Sequence, residues 1–179
     1  MQQLIRWIET VTRVGGYVAA VLVIVLMAFM VYEVIVRYAF NAPTMWSYDL
    51  STMTLGAIFT LSIGYVVLTD GHVRVDLLHS LISPMMRPIV DFVGYAFILL
   101  PMTIWLTWNL WDHFHGSFLS LERTGTSAWN PLVWPFRAVM FVGAAIWTLQ
   151  IVAEVLKAGL KLLGRADENA NSVSEPDIR

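Results

Sequence analysis

Apolar positions in this chain gather into four long stretches that carry no charge. The intervals between Arg13 and Glu33, Asp49 and Asp70, Asp91 and Asp112, and Arg137 and Glu154 contain no Asp, Glu, Lys or Arg. A helix rises about 1.5 Å per residue, so roughly 20 residues cross the roughly 30 Å hydrocarbon layer of a bilayer. The first three intervals reach that length unaided. The fourth is lengthened by Pro135 and Phe136 on one side and by Val155 and Leu156 on the other. The pattern predicts an all-α integral membrane protein with four transmembrane helices, at about 14–36, 47–68, 89–111 and 135–157. They form a single membrane domain over 1–163.

The segments between the runs fill in the outline. Leu4, Ile5, Trp7 and Ile8 alternate with Arg6, Glu9 and Arg13, which predicts an N-terminal amphipathic segment lying in the membrane interface. Asn41, Ala42 and Pro43 end the first helix, because proline lacks an amide donor and disfavours helix in the residue before it. Asp70-Gly71 predicts a turn. Leu77 to Ile82, closed by Ser83-Pro84, predicts a short interfacial helix between spans 2 and 3. Pro101 falls inside the third span, where it should kink the helix and free a carbonyl one turn earlier. The loop from Asp112 to Pro135 is the longest connection. Residues 164–179 are polar and aperiodic, which predicts a disordered cytoplasmic tail.

Charge sets the orientation. Arg6, Arg13, Arg74, Arg87, Lys157, Lys161 and Arg165 fall on one side of the predicted membrane, against Arg37, Arg123 and Arg137 on the other. The positive-inside bias then puts both termini in the cytoplasm. Trp7, Trp46, Trp111, Trp129 and Trp134 fall near the span edges, where an amphipathic ring is favoured. The first run is longer than a signal-peptide core and lacks a small-x-small cleavage site after it, so it reads as a retained helix.

Composition narrows the chemistry. Hydrophobic residues make up 58% of the 179 and charged residues 13%, where a soluble domain carries about 25% charge. No basic stripe suggests nucleic acid. The chain has no cysteine, which excludes disulfides, thiolate metal sites and cysteine nucleophiles.

Few residues remain that could act. Glu33 and Arg37 are four apart on one helix and can pair. They read either as a proton-coupling carboxylate or as an ion pair at the outer end of the first span that docks a partner. Asp49 follows Trp46 at the mouth of the second helix, where a carboxylate favours the helix dipole. In "HVRVD", His72, Arg74 and Asp76 alternate with valines, and Asp76 is placed to cap a following helix. With His79 they do not assemble a metal site. His113 and His115 lie outside the predicted spans, so haem held between helices is not expected. Glu122 and Arg123 read as solvated loop residues. Thr52, Thr54, Thr60, Ser62, Thr103 and Thr107 can bond carbonyls of their own helices. A transporter acting alone usually carries charge or broken helices near the midplane.

Three segments, "EVIVRYAFNAPTMWSYDL" from Glu33, "GHVRVDLL" from Gly71 and "SAWNPLVWPFR" from Ser127, resemble the small membrane subunit of tripartite ATP-independent periplasmic (TRAP) transporters. The resemblance extends over about Ile8 to Lys161. It rests on Arg37, Tyr38, Phe40, Trp46, Asp49, His72 and Asp76 in that order; the family commonly has glutamate where Asp49 stands. It implies a DctQ-like accessory subunit that is not an enzyme and binds no cofactor. The sodium and substrate sites would lie on a large multi-span partner, fed by a periplasmic substrate-binding protein, in the bacterial inner membrane. The resemblance implies folding and docking roles for Glu33, Arg37, Tyr38, Trp46, Asp49, His72, Arg74 and Asp76. Two alternatives remain from the residues: an autonomous proton-coupled exporter using Glu33, and a membrane anchor of a redox complex.

Overall fold

Backbone amides in a bilayer have no water to bond, so an uncharged run satisfies them most simply by closing on itself as a helix. The computed structural model of the chain describes residues 2–69 and 86–174. Among them the fold is all-helical: α1 (Gln2–Ala39), α2 (Ser47–Leu68), α3 (Arg87–Val93), a π-helical segment (Gly94–Leu99), α4 (Leu100–Ser120) and α5 (Trp134–Ser174). Three helical stretches, Gln2–Ala39, Ser47–Leu68 and Trp134–Leu160, are long and apolar enough to cross a membrane by length and composition.

Residues 2–13 do not form a helix separate from the first span: they continue α1 without a break. The charges at Arg6, Glu9 and Arg13 mark a change of surroundings, not of backbone, since none of them interrupts a helix. Ile5 and Ile8 are buried there against Ala153, with Leu156 beside them. At 38 residues, α1 is about 57 Å long, well beyond the hydrocarbon thickness. At the other end of the chain, helix α5 runs on through residues 164–174, which the polar composition assigned to a disordered tail. No glycine or proline interrupts 165–174, and Pro176 follows. The predicted short helix at 77–82 lies outside the described residues.

The third predicted span is the least regular. Residues 87–120 are helical throughout, but Leu100 donates its amide to the Tyr95 carbonyl five residues back. Pro101 explains the adjustment. Its ring carries no N–H for the Phe97 carbonyl, and a π turn re-spaces the backbone ahead of it.

Helix α5 is the hub of the packing: α1, α2, α3, α4 and the π segment all lie against it, and α1 also packs on α2. Trp147 and Ile151 of α5 bury Val67 of α2. Small residues bring backbones close, as membrane helices require in the absence of a strong hydrophobic drive between them. A Cβ on Gly143 would stand 2.8 Å from the backbone of Thr60, and one on Gly16 would stand 2.7 Å from the Tyr65 ring. Helix α4 packs chiefly on α5. Between α2, α4 and α5 an open groove of about 370 Å³ remains, lined by Phe59, Ile63, Val66, Leu106, Leu110 and Trp147 among others.

Candidate functional site

Three polar ties join elements near the ends of the bundle, two at one end and one at the other. The first closes the α1–α2 loop. Glu33 is buried. Its Oε1 accepts from Arg37 Nε at 3.0 Å and Nη2 at 2.5 Å, and its Oε2 accepts from the Thr44 amide at 3.2 Å and from the Thr44 hydroxyl. Both oxygens are thus committed. Two residues beyond Thr44, Trp46 holds the loop to α1, stacked on Tyr32 at 5.9 Å and edge-on to Phe29 at 6.0 Å. The loop leaves α1 through Asn41 at φ 49°, a conformation asparagine tolerates better than most residues.

The second tie joins α2 to the α4–α5 loop. Asp49 is 4% exposed. It accepts from Thr126 Oγ1 at 3.1 Å and from the Ser127 hydroxyl, which in turn accepts from the Asn130 amide at 3.2 Å. Its role therefore exceeds the helix-dipole interaction expected for it: it anchors a loop some 78 residues away in sequence. The same loop is held at its base. Arg137 grips Glu122 through two hydrogen bonds of 2.8 and 3.0 Å and donates to the Ser117 hydroxyl and to the His113 carbonyl. Glu122 is consequently paired with Arg137, a correction to its reading as a purely solvated residue. Arg123 is exposed as expected, and donates to the Asn130 carbonyl at 2.8 Å.

The third tie runs up the α1–α5 seam at the opposite end. Lys157 Nζ bridges Glu9 at 2.6 Å and Glu154 at 2.8 Å. Gln150 donates to Glu154 at 2.9 Å and accepts from the Thr12 hydroxyl at 2.9 Å. Thr12 and Gln150 are fully buried. Farther along the bundle, α4 meets α5 through hydroxyls: Thr107 and Thr148 are 2.8 Å apart.

The structure therefore brings Glu33, Arg37 and Trp46 together and places Asp49 in a neighbouring but separate tie. Tyr38 joins neither; it is 82% exposed. His72, Arg74 and Asp76 lie outside the described residues. Thr44, Thr126, Ser127, Thr12 and Glu9 were not singled out from sequence, because their partners are remote in the chain. The i,i+4 and i,i+3 spacings of Gln150, Glu154 and Lys157 were a legible signal. Among the described residues no cluster of His, Asp or Glu could hold a metal ion. The groove offers no polar handle: Thr60 and Ser62 on its wall turn their hydroxyls to Gly56 and Phe59 carbonyls of their own helix.

One protein-family profile matches the chain, over residues 26–159: Tripartite ATP-independent periplasmic transporters, DctQ component. No curated protein and no solved structure matches it.

Proposed function

The chain belongs to the DctQ family of tripartite ATP-independent periplasmic transporter components, and from that premise we propose that it braces a large multi-span membrane subunit and holds no substrate site of its own. The small organic acid and the coupling sodium ions bind the large subunit, and a periplasmic substrate-binding protein delivers the acid. The chain sits in the bacterial inner membrane with both termini in the cytoplasm. In this reading residues 87–120 cross the bilayer as the fourth span, although Asp112, His113 and His115 dilute their hydropathy.

The observation that carries the proposal is the use made of the buried and half-buried charge. The carboxylates of Glu33 and Asp49 and the ammonium of Lys157 are each engaged in a tie between elements of this chain. The groove presents carbon alone, and a carboxylate substrate or a sodium ion needs oxygen or nitrogen partners. An exporter coupled through Glu33 gains no support, because both of its oxygens are bonded within the α1–α2 connection. A haem-bearing anchor gains none from His113 and His115, which are exposed on α4.

Reconstitution tests the reading. Proteoliposomes holding this chain alone are expected to accumulate no organic acid under a sodium gradient. Those holding it with the large subunit, supplied with loaded binding protein, are expected to accumulate it. Uptake by the chain alone would falsify the accessory role.

A further inference from the structure

Helix α4 turns a stripe of large side chains away from the rest of the molecule. Thr103, Thr107 and Ser117 face α5: Thr103 is fully buried and its carbonyl accepts from Thr148, Thr107 bonds Thr148 through its hydroxyl, and Arg137 donates to Ser117. Asp112 is nine residues from Thr103, about two and a half turns, which puts it on the opposite face. Trp105, Trp108 and Leu119 share that face, at 68, 73 and 69% exposure. Asp112 is exposed as well and has no hydrogen-bond or ion-pair partner among the described residues.

Ring contacts fix its depth. Trp111 lies 5.1 Å from Phe141, and Phe118 lies 5.5 Å from Trp134. Asp112 is therefore level with Met140 and Phe141, six or seven residues, about 9 to 10 Å, inside the Trp134 end of α5. From Trp134 to Glu154 the helix spans about 30 Å, the thickness of the hydrocarbon layer. An unpaired carboxylate at that level would face hydrocarbon or phosphate headgroups, and neither stabilises it. The exposed face of α1 differs: from Val18 to Val31 it presents Val21, Val23, Ile24, Met27 and Met30, ordinary lipid-facing residues.

We propose that the Trp105–Trp108–Asp112–Leu119 face of α4 is the docking surface for a transmembrane helix of the large subunit, one that carries a Lys or Arg level with Asp112. The carboxylate supplies the complementary charge, and Trp108, one turn away on the same face, favours a cation beside its ring. Aromatic side chains are also the usual anchors of protein interfaces. This inference rests on the accessory reading and on residues 87–120 crossing the bilayer.

The test uses the chain co-expressed with the large subunit in native membranes. A photo-crosslinking p-benzoylphenylalanine replaces Trp108 in one variant and Ile24 in another. The expected result is an adduct with the large subunit from position 108 and none from position 24. Asp112→Lys is expected to lower the large subunit recovered with the chain by roughly tenfold, as loss of an interface anchor does, and Asp112→Asn by less. The amount of chain in the membrane, measured in parallel, is expected to stay unchanged, which separates docking from folding. Adducts from position 24 alone, adducts of two copies of this chain, or lipid adducts only from position 108 while the large subunit still co-purifies each overturn the assigned face and leave the accessory reading standing. Failure of the unaltered chain to recover a large subunit overturns both.

Discussion

Glu33 illustrates how a charge is retained at the end of a membrane span. One of its oxygens serves Arg37 a turn later, and the other serves Thr44 across the loop. The group acts as a clip between α1 and the start of α2. The i,i+4 pair was legible from the sequence; the Thr44 half was not, because a hydroxyl in a loop gives no periodic signal. Glu33→Gln keeps the shape but loses the charge that Arg37 and Thr44 answer. The variant is expected to melt at a lower temperature in detergent while the assembled transporter still takes up substrate at permissive temperature. Complete loss of uptake with an unchanged melting temperature would instead return Glu33 to a coupling role. Asp49 makes the parallel case between α2 and the α4–α5 loop. Asp49→Ala removes the buried charged acceptor that Thr126 and Ser127 bond, a loss on the order of 1–3 kcal/mol. Limited proteolysis should then cut residues 121–133 sooner than in the unaltered chain.

At the scale of elements, the tight seam is the α2–α5 crossing. Gly143 lies against the Thr60 backbone, where no side chain could yield. Gly143→Leu should force the helices apart at a cost on the order of 1–3 kcal/mol, typical of an overpacked interface. A fall in thermal stability well beyond that of an exposed control such as Ile24→Leu is the measurement that checks it. Helices α1, α2 and α5 were legible because uncharged runs and backbone satisfaction demand the same thing. The irregular third region was only half legible. Pro101 announced a disturbance, but hydropathy ended the span near Trp111, where the chain next carries Asp112 and His113. The backbone instead stays helical to Ser120, because Thr107, Phe114 and Ser117 keep a continuous face toward α5. For the same reason the boundary inferred near Arg13 is absent from α1. A charge pattern reports what surrounds a helix, whereas the backbone ends where caps, glycines or prolines end it.

At the scale of the molecule, the number of crossings decides how the chain presents itself to its partners. Three helices are apolar enough to span by themselves; residues 87–120 would make a fourth by leaning on α5. An odd number of crossings leaves the two ends of a chain on opposite sides, and an even number leaves them together. Here the ends are α1, whose first turns pair with α5 through Ile5, Ile8 and the Glu9–Lys157 bridge, and α5 itself. That pairing holds the start of α1 beside the later half of α5 at one end of the bundle, the arrangement that the proposed four crossings would give. The absence of native cysteine makes the test direct. Single cysteines placed at Gln3, Ser120 and Asn169 should divide cleanly when intact cells, stripped of their outer membrane, meet a membrane-impermeant maleimide. Ser120→Cys is expected to be labelled at once, and Gln3→Cys and Asn169→Cys only after the inner membrane is opened. Labelling of Asn169→Cys but not Gln3→Cys in intact cells would mean that residues 87–120 do not cross. The Asp112 face would then lie outside the bilayer, where an exposed carboxylate is hydrated and needs no cationic partner.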